Sequence, residues 1–507
     1  SRSVNLMIVQ ADAEGELPTP LSEVERTLQP EHGYLLVTGE KADTLRSKFA
    51  DTDLSLVESK SAFAARRTEL PEAGDWSHMY GDASNAAYTG EALGGVKSTE
   101  DLSVSWLGLP GPRYQTDRQN RKSAPLYSGG RLFMQGQERV IALDGHNGSV
   151  LWSLELPGLL RFNIPRDASN WCCDENHLFL AHGDRCLQID GETGEIVAQH
   201  RLPKTSDAET HDWGYVARST GSTGDWILGT NVRKNSTFVD FWGGDYWFDQ
   251  KDGKYTHQVC GESLFGYDKT GKRPSWEYNG GLIWNASLTA NTDRIFFIES
   301  RGVELADDAT SRLPTDLATK ETWLVGLDLA TGKKQFEQQI KLSPKVIVAN
   351  MAYADDVLVL VTSVANKFPV RAYSAVDGKP LWDTTVGWPR NHHGGHLSRP
   401  AIVEGKVFVR PASLDLKTGK LLSNNMPGGG CGTYVATKDA LFFRAGSGRQ
   451  LSAWQPETGK YTHWARMRPD CWLSTIPAGG MLLSPEGGGG CSCGHWMEMS
   501  VGFVPNK

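Results

Sequence analysis

The chain has 507 residues, enough for two or three domains or for one large repeat architecture. Its net charge is −8, and no run of Lys and Arg interleaves with aromatics, which argues against nucleic acid or an anionic membrane as a partner. No stretch of about 18 apolar residues occurs, so no helical membrane span is expected. Gly (55) and Trp (17) are abundant and helical periodicity is scarce beyond residue 70, which suits many short strands joined by tight turns. The chain opens on Ser1 without a signal-peptide pattern, as a processed product would.

Residues 1–70 read differently from the rest. Asn5–Gln10 is an apolar strand, Leu21–Leu28 a helix, Gly33–Thr38 a second strand and Lys41–Phe49 a second helix. The stretch LSEVERTLQPEHGYLLVTG resembles the later half of a class I methyltransferase-like Rossmann domain. The glycine-rich nucleotide loop that would precede it is absent, so no cofactor binding is carried over. A small α/β cap on the main domain fits equally, and so does an upstream polypeptide or subunit that completes the fold.

Leu70–Asp75 is linker-like, and a second unit is expected over residues 76–507. Within it, Ile141–Trp152 (IALDGHNGSVLW) reads as strand, turn, strand. Asp144 closes the first strand, and Asn147-Gly148 forms a turn that needs positive φ. Val150 and Trp152 then share one face of the next strand. The same phrase recurs, with turn glycines at Gly148, Gly194, Gly271, Gly332, Gly378, Gly419 and Gly459. Their spacings of 46, 77, 61, 46, 41 and 40 residues mark insertions near 205–260 and 300–320. A β signature repeating at this period means a propeller. Seven turns give seven blades. The eighth is assembled from both ends: Gly480–Ser484, His495–Met499 and Ser500–Val504 inside, and Leu102–Leu107 outermost. The fold class is therefore an all-β, eight-bladed propeller closed by its terminal strands, with a small N-terminal α/β segment. Trp152 and Trp382 are packing residues between blades. Asp144, Asp190, Asp328 and Asp415 form turns.

The entry segment WSHMYGDASNAAY (76–88), of pattern W…YGDxxNxxY, and the D-x-x-[TN]-G-x-x-x-W turn resemble the pyrroloquinoline quinone (PQQ)-type propellers of the quinoprotein alcohol dehydrogenase-like superfamily. The resemblance covers roughly residues 76–505 and implies the fold more than the activity. A dehydrogenase of that kind would need a calcium-binding carboxylate set, not placed here, and a tryptophan floor, for which Trp284 or Trp388 could serve.

In a propeller, the crossings from one blade's outer strand to the next blade's inner strand converge on one face. They carry Arg161, Asn163 and Arg166, then His211, Asp212, Trp213 and Tyr215, then Trp284, the NHHGGH loop with His392, His393 and His396, and finally Arg468 and Asp470. Cations, imidazoles and aromatics together suit an anionic, ring-shaped ligand such as an acidic sugar. Two imidazoles of the NHHGGH loop can reach one divalent metal (Mn, Zn or Ca), with His211 as a ligand from another blade. The same imidazoles could instead act as acid and base, or simply cap backbone groups.

Eight cysteines with no CxxC pair point to an oxidising compartment and disulfides, so a periplasmic or secreted location. Cys172–Cys186 is the expected staple, preferred over a vicinal Cys172-Cys173 bridge. Cys491 and Cys493 could pair with Cys431 and Cys471, or join a metal site.

The function expected is a metal-assisted lyase acting on an acidic or sulfated glycan. His392, His396 and His211 would hold the cation. His393 or Tyr215 would take the α-proton, and Arg161 and Arg166 would hold the sugar's anionic group. The alternatives are a PQQ-dependent dehydrogenase and a non-catalytic scaffold of the outer-membrane-assembly type.

Overall fold

The computed structural model describes residues 4–39, 42–49, 52–57, 63–109, 123–136, 138–159, 169–221, 224–234, 236–237, 257–268, 271, 273–305, 311–365, 367–387, 399–445, 450–465, 467, 469, 473–485 and 499–506. Eight antiparallel blades follow one another in chain order. Blade 1 is Leu126–Ser128, Arg131–Gly136, Arg139–Asp144 and Val150–Glu155. Blade 8 is Ile476–Ala478, Met481–Pro485, Ser500–Pro505 and, outermost, Leu102–Gly108. The ring thus closes by pairing strands from the two ends of the unit, as the sequence leads one to expect. One strand differs. The inner strand of blade 8 is Ile476–Ala478; His495 lies outside the described residues, and Met499 is a bend before Ser500–Pro505. A three-residue strand next to Gly479-Gly480 is too short to stand out from its turn.

The repeat turns explain how blades are spaced. Asp144 Oδ1 accepts the N–H groups of His146 and Asn147, and Asp190 Oδ1 accepts those of Glu192 and Thr193. Gly148 and Gly194 take φ of 74° and 77°. Where the outer strand carries a tryptophan, it reaches the next blade. Trp106 Nε1 donates to Gly145 O, Trp152 Nε1 to Gly191 O and Trp382 Nε1 to Leu416 O, each at 2.9 Å. Gly271 departs from this pattern, since it is not among the positive-φ glycines.

Blades 3 and 4 are continuous, because Leu282–Trp284 pairs with both Cys260–Gly261 and Glu299–Ser300. The two insertions meet: His257–Gln258 pairs with Leu313–Pro314. The aromatic stretch at 238–250 lies outside the described residues.

The N-terminal segment has its own sheet. Leu6–Gln10 runs parallel to Tyr34–Thr38, joined by the helix Leu21–Thr27, and Phe63–Arg67 and Leu54–Val57 add antiparallel. The sheet buries Val9, Leu35, Val37 and Phe63 against Val24, Leu28 and Leu45. It rests on blade 1, where Gln29 Nε2 donates to both Asp144 carboxylate oxygens at 2.7 and 2.6 Å and the His32 ring nitrogen lies 2.7 Å from Gly129 O.

The expected Cys172–Cys186 bridge is not formed; Cys172, Cys173, Cys186 and Cys260 are free, buried thiols. Cys172 lies on the inner strand and Cys186 on the third, with His177–His182 between them. Two strand spacings of about 4.8 Å separate such residues, which exceeds disulfide reach. The pairing of Cys431, Cys471, Cys491 and Cys493 falls outside the described side chains.

Candidate functional site

The entry segment does more than lead into blade 1. Residues 74–91 run around the propeller axis and bond the inner strands of blades 1 to 7 and the turn that follows the inner strand of blade 8. Gly74 O accepts from Gly479 N (blade 8), Trp76 and Tyr127 exchange two bonds (blade 1), and Ser77 O accepts from Cys173 N (blade 2). His78 Nε2 accepts from Arg218 N at 3.0 Å (blade 3). Then Ala83 O, Ser84 O, Ala86 O and Ala87 O accept from Ala290, Tyr353, Ile402 and Ala436 (blades 4 to 7). Glu91 completes the circle, its carboxylate accepting from Gly74 N, Leu93 N and Gly480 N. The YGDxxNxxY pattern now has a physical reason. Gly81, Asn85 and Ala87 all have positive φ (101°, 57° and 54°), which curls the chain, and Asp82 Oδ1 accepts Ser84 N to fix one bend.

Above this floor, toward the crossings, Arg399 lies across the Tyr80 ring at 3.7 Å and Tyr215 is near enough to feel its charge. Both groups are buried. Below it opens a basin of about 720 Å³, bounded by the floor and by first-turn residues of blades 2 to 6. Among the described residues, Asp75, Asp82, Asp174, Glu175, Asp355 and Glu404 face it, against the one guanidinium of Arg218. Arg218 is already engaged by Asp174 and Asp225. Burial raises the Asp75 and Asp82 carboxyls above the ordinary range. Burial, followed by the Arg218 charge, pushes the His78 imidazole down to about 3, so it is neutral and free to accept the Arg218 N–H.

Of the residues expected at the crossing mouth, Arg161, Arg166, His392, His393 and His396 lie outside the described residues, as does Trp388. His211 begins the inner strand of blade 3. Its Nε2 bonds the Glu262 carboxylate, which also accepts Arg233 Nη2 at 3.2 Å. The bond to Glu262 raises the His211 imidazole and holds the Glu262 carboxyl below its usual range. Tyr215 packs with Ala217, Leu228 and Ala290, and burial drives its phenol strongly upward. Among the described residues, no group of three His, Cys, Asp or Glu could hold a metal ion. The floor and Arg399 were not foreseen. The only sequence signal was the entry motif itself, which names the fold without its geometry.

The family described as outer membrane protein assembly factor BamB matches residues 111–227 and 257–465, more than half of the chain. No curated protein matches by sequence. Among solved structures, a europium-containing methanol dehydrogenase superposes with a TM-score of 0.55 at 12% identity, over 81% of this chain and 89% of that one. The quinohemoprotein alcohol dehydrogenase from Comamonas testosteroni gives 0.52 at 13% identity, over 86% and 82%. At such identities the likeness concerns the fold. Nothing in these comparisons supports the methyltransferase resemblance of residues 1–70. The span of the family match and the eight-bladed ring agree: this chain belongs to the family described as outer membrane protein assembly factor BamB, within the PQQ-like propellers.

Proposed function

We propose that the protein is an extracytoplasmic binding scaffold whose basin holds a cationic, Lys- or Arg-bearing segment of a partner protein. The observation that carries this reading is the floor. A segment bonded to all eight blades makes a stiff, closed base behind an acidic wall. Asp75 and Asp82 add two carboxyls to that wall, and burial raises both above the ordinary range. Membership of the family described as outer membrane protein assembly factor BamB accords with it.

The two features named for a quinone site find no support among the described residues, and Trp388 lies outside them. Cys172 and Cys173 are free and pack into different inter-blade clusters, so they form no vicinal bridge. Trp284 lies in the core between blades 4 and 5, its Nε1 on Ser300 Oγ at 2.7 Å. The lyase chemistry likewise finds no support here, with His211 bound to Glu262 and Tyr215 packed inside.

The test is fluorescence anisotropy of a labelled arginine-rich nonapeptide. Glu175→Lys, Asp355→Lys and Glu404→Lys together reverse exposed basin charges and are expected to weaken binding at least tenfold. The same reversal at exposed Glu14, Glu195 and Glu209, away from the basin, should change it little. Equal losses in the two triple variants, or dye-linked alcohol oxidation by protein loaded with PQQ and calcium, would overturn the scaffold reading.

A further inference from the structure

The glycine-rich stretch 428–432 opens the inner strand of blade 7, at the crossing end and away from the basin. A Cβ on Gly429 would lie 1.7 Å from Arg410 Nη1 and 2.3 Å from its Cζ, so a side chain at 429 would displace the guanidinium from this position. Arg410 is 5% exposed. Its guanidinium carbon sits 5.1 Å from the Tyr434 ring centre and 4.6 Å from that of Phe443. Tyr434 Oη fixes the approach by accepting Arg410 N at 3.3 Å and donating to Phe408 O at 2.9 Å.

Two donors of this buried group, Nε and Nη2, have no partner, and Arg410 makes no ion pair among the described residues. Thr433 Oγ1, one residue from Tyr434, is also buried without a partner. Arginine does not shed its proton under ordinary conditions, and aromatic faces recover only part of the cost of desolvating a full charge. Nε–H and Nη2–H share one edge of the guanidinium plane and point the same way. That edge is the fork that grips two oxygens of a carboxylate or phosphate. Arg399 and Arg444 are buried at the same end of blades 6 and 7.

We propose that the seam between blades 6 and 7 is an oxyanion site, with Arg410 as the bidentate donor and Gly429 as the cradle that lets it lie flat. It takes a ligand bearing a carboxylate or a phosphate group.

The test is thermal unfolding of the full chain in sodium acetate, sodium phosphate and sodium chloride at matched pH and ionic strength. The wild type should gain stability saturably in acetate, in phosphate or in both relative to chloride, and the stronger arm identifies the chemistry. Arg410→Met should lose that saturable gain while keeping the unsaturable rise that excluded salts give any protein. Arg410→Lys, which keeps the charge and loses the fork, should need roughly tenfold more anion. Gly429→Ala should behave like Arg410→Met. A wild type that does not distinguish oxyanion from chloride overturns the proposal whatever the variants do. So does a saturable gain retained in Arg410→Met.

Discussion

The Glu91 carboxylate accepts the Gly74 N–H at 3.0 Å, so a single side chain ties the first residue of the axial floor to the last. The same carboxylate takes Leu93 N and, in blade 8, Gly480 N. Glu91→Ala would leave two buried donors, Leu93 N and Gly480 N, and the half-buried Gly74 N unsatisfied. We expect a loss of about 3 kcal/mol or more in urea unfolding, because each unmet buried group costs about 1–3 kcal/mol. Glu91→Gln keeps one acceptor oxygen and should fall between. A loss below about 1 kcal/mol for the alanine variant would mean that the floor does not hold the ring together.

His78 predicts a specific acid response. Its imidazole titrates near 3 in the fold, against an ordinary value of 6.5. Unfolded chains therefore take up this proton first as the pH falls. Stability attributable to His78 is complete above pH 6.5 and declines between 6.5 and about 3, by up to about 1.4 kcal/mol per pH unit. His78→Gln offers an amide oxygen to the Arg218 N–H and does not titrate. Its stability curve between pH 6.5 and 4 should be flatter than the wild type by that slope. Parallel curves would show that the ring is solvated or already charged.

The indole latch can be tested at its glycines. A Cβ at Gly194 would lie 2.7 Å from Trp152 Cδ2, and φ there is 77°. At Gly405, φ is 75° but nothing lies within 4 Å. Gly405→Ala should cost only the backbone strain of about 1–2 kcal/mol. Gly194→Ala should cost about 1–3 kcal/mol beyond that through overpacking, and lower the melting temperature accordingly. Equal losses would refute the latch.

The four described thiols should be inert in the native state. Cys172, Cys173, Cys186 and Cys260 are buried, and desolvation raises each thiol pKa. Ellman's reagent should label none of them within minutes in buffer and all of them in denaturant. Peptide mapping distinguishes them from the other four cysteines. Rapid native labelling of Cys172 or Cys186 would contradict this packing.

What was legible in the sequence was local or periodic. Asp144, Asn147 and Gly148 specify their own turn, Trp152 follows at a fixed offset, and the copies announce the blades. The closing strand Leu102–Gly108 could be found because it copies the outer strand of blade 1. The floor was not legible, because its bonds join residues 74–91 to partners up to about four hundred positions away and follow no period. Arg410 escaped notice for a related reason. Its significance depends on Gly429, Tyr434 and Phe443, which belong to the next blade. The cysteines of blade 2 misled because strand order puts the second strand between the first and third. The two insertions were located, but nothing in either one signals that Gln258 will pair with Leu313.

Repeat architectures usually tolerate the gain or loss of a unit, since each unit touches only its neighbours. Here one short stretch meets all eight blades in order and is then fastened to itself through Glu91. That stretch acts as a gauge of copy number. A duplicated blade would find no carbonyl waiting for it, and a deleted one would leave a loop of surplus backbone over the axis. Changes in the size of this propeller would therefore have to begin with insertions or deletions between Gly74 and Glu91, before any blade is duplicated.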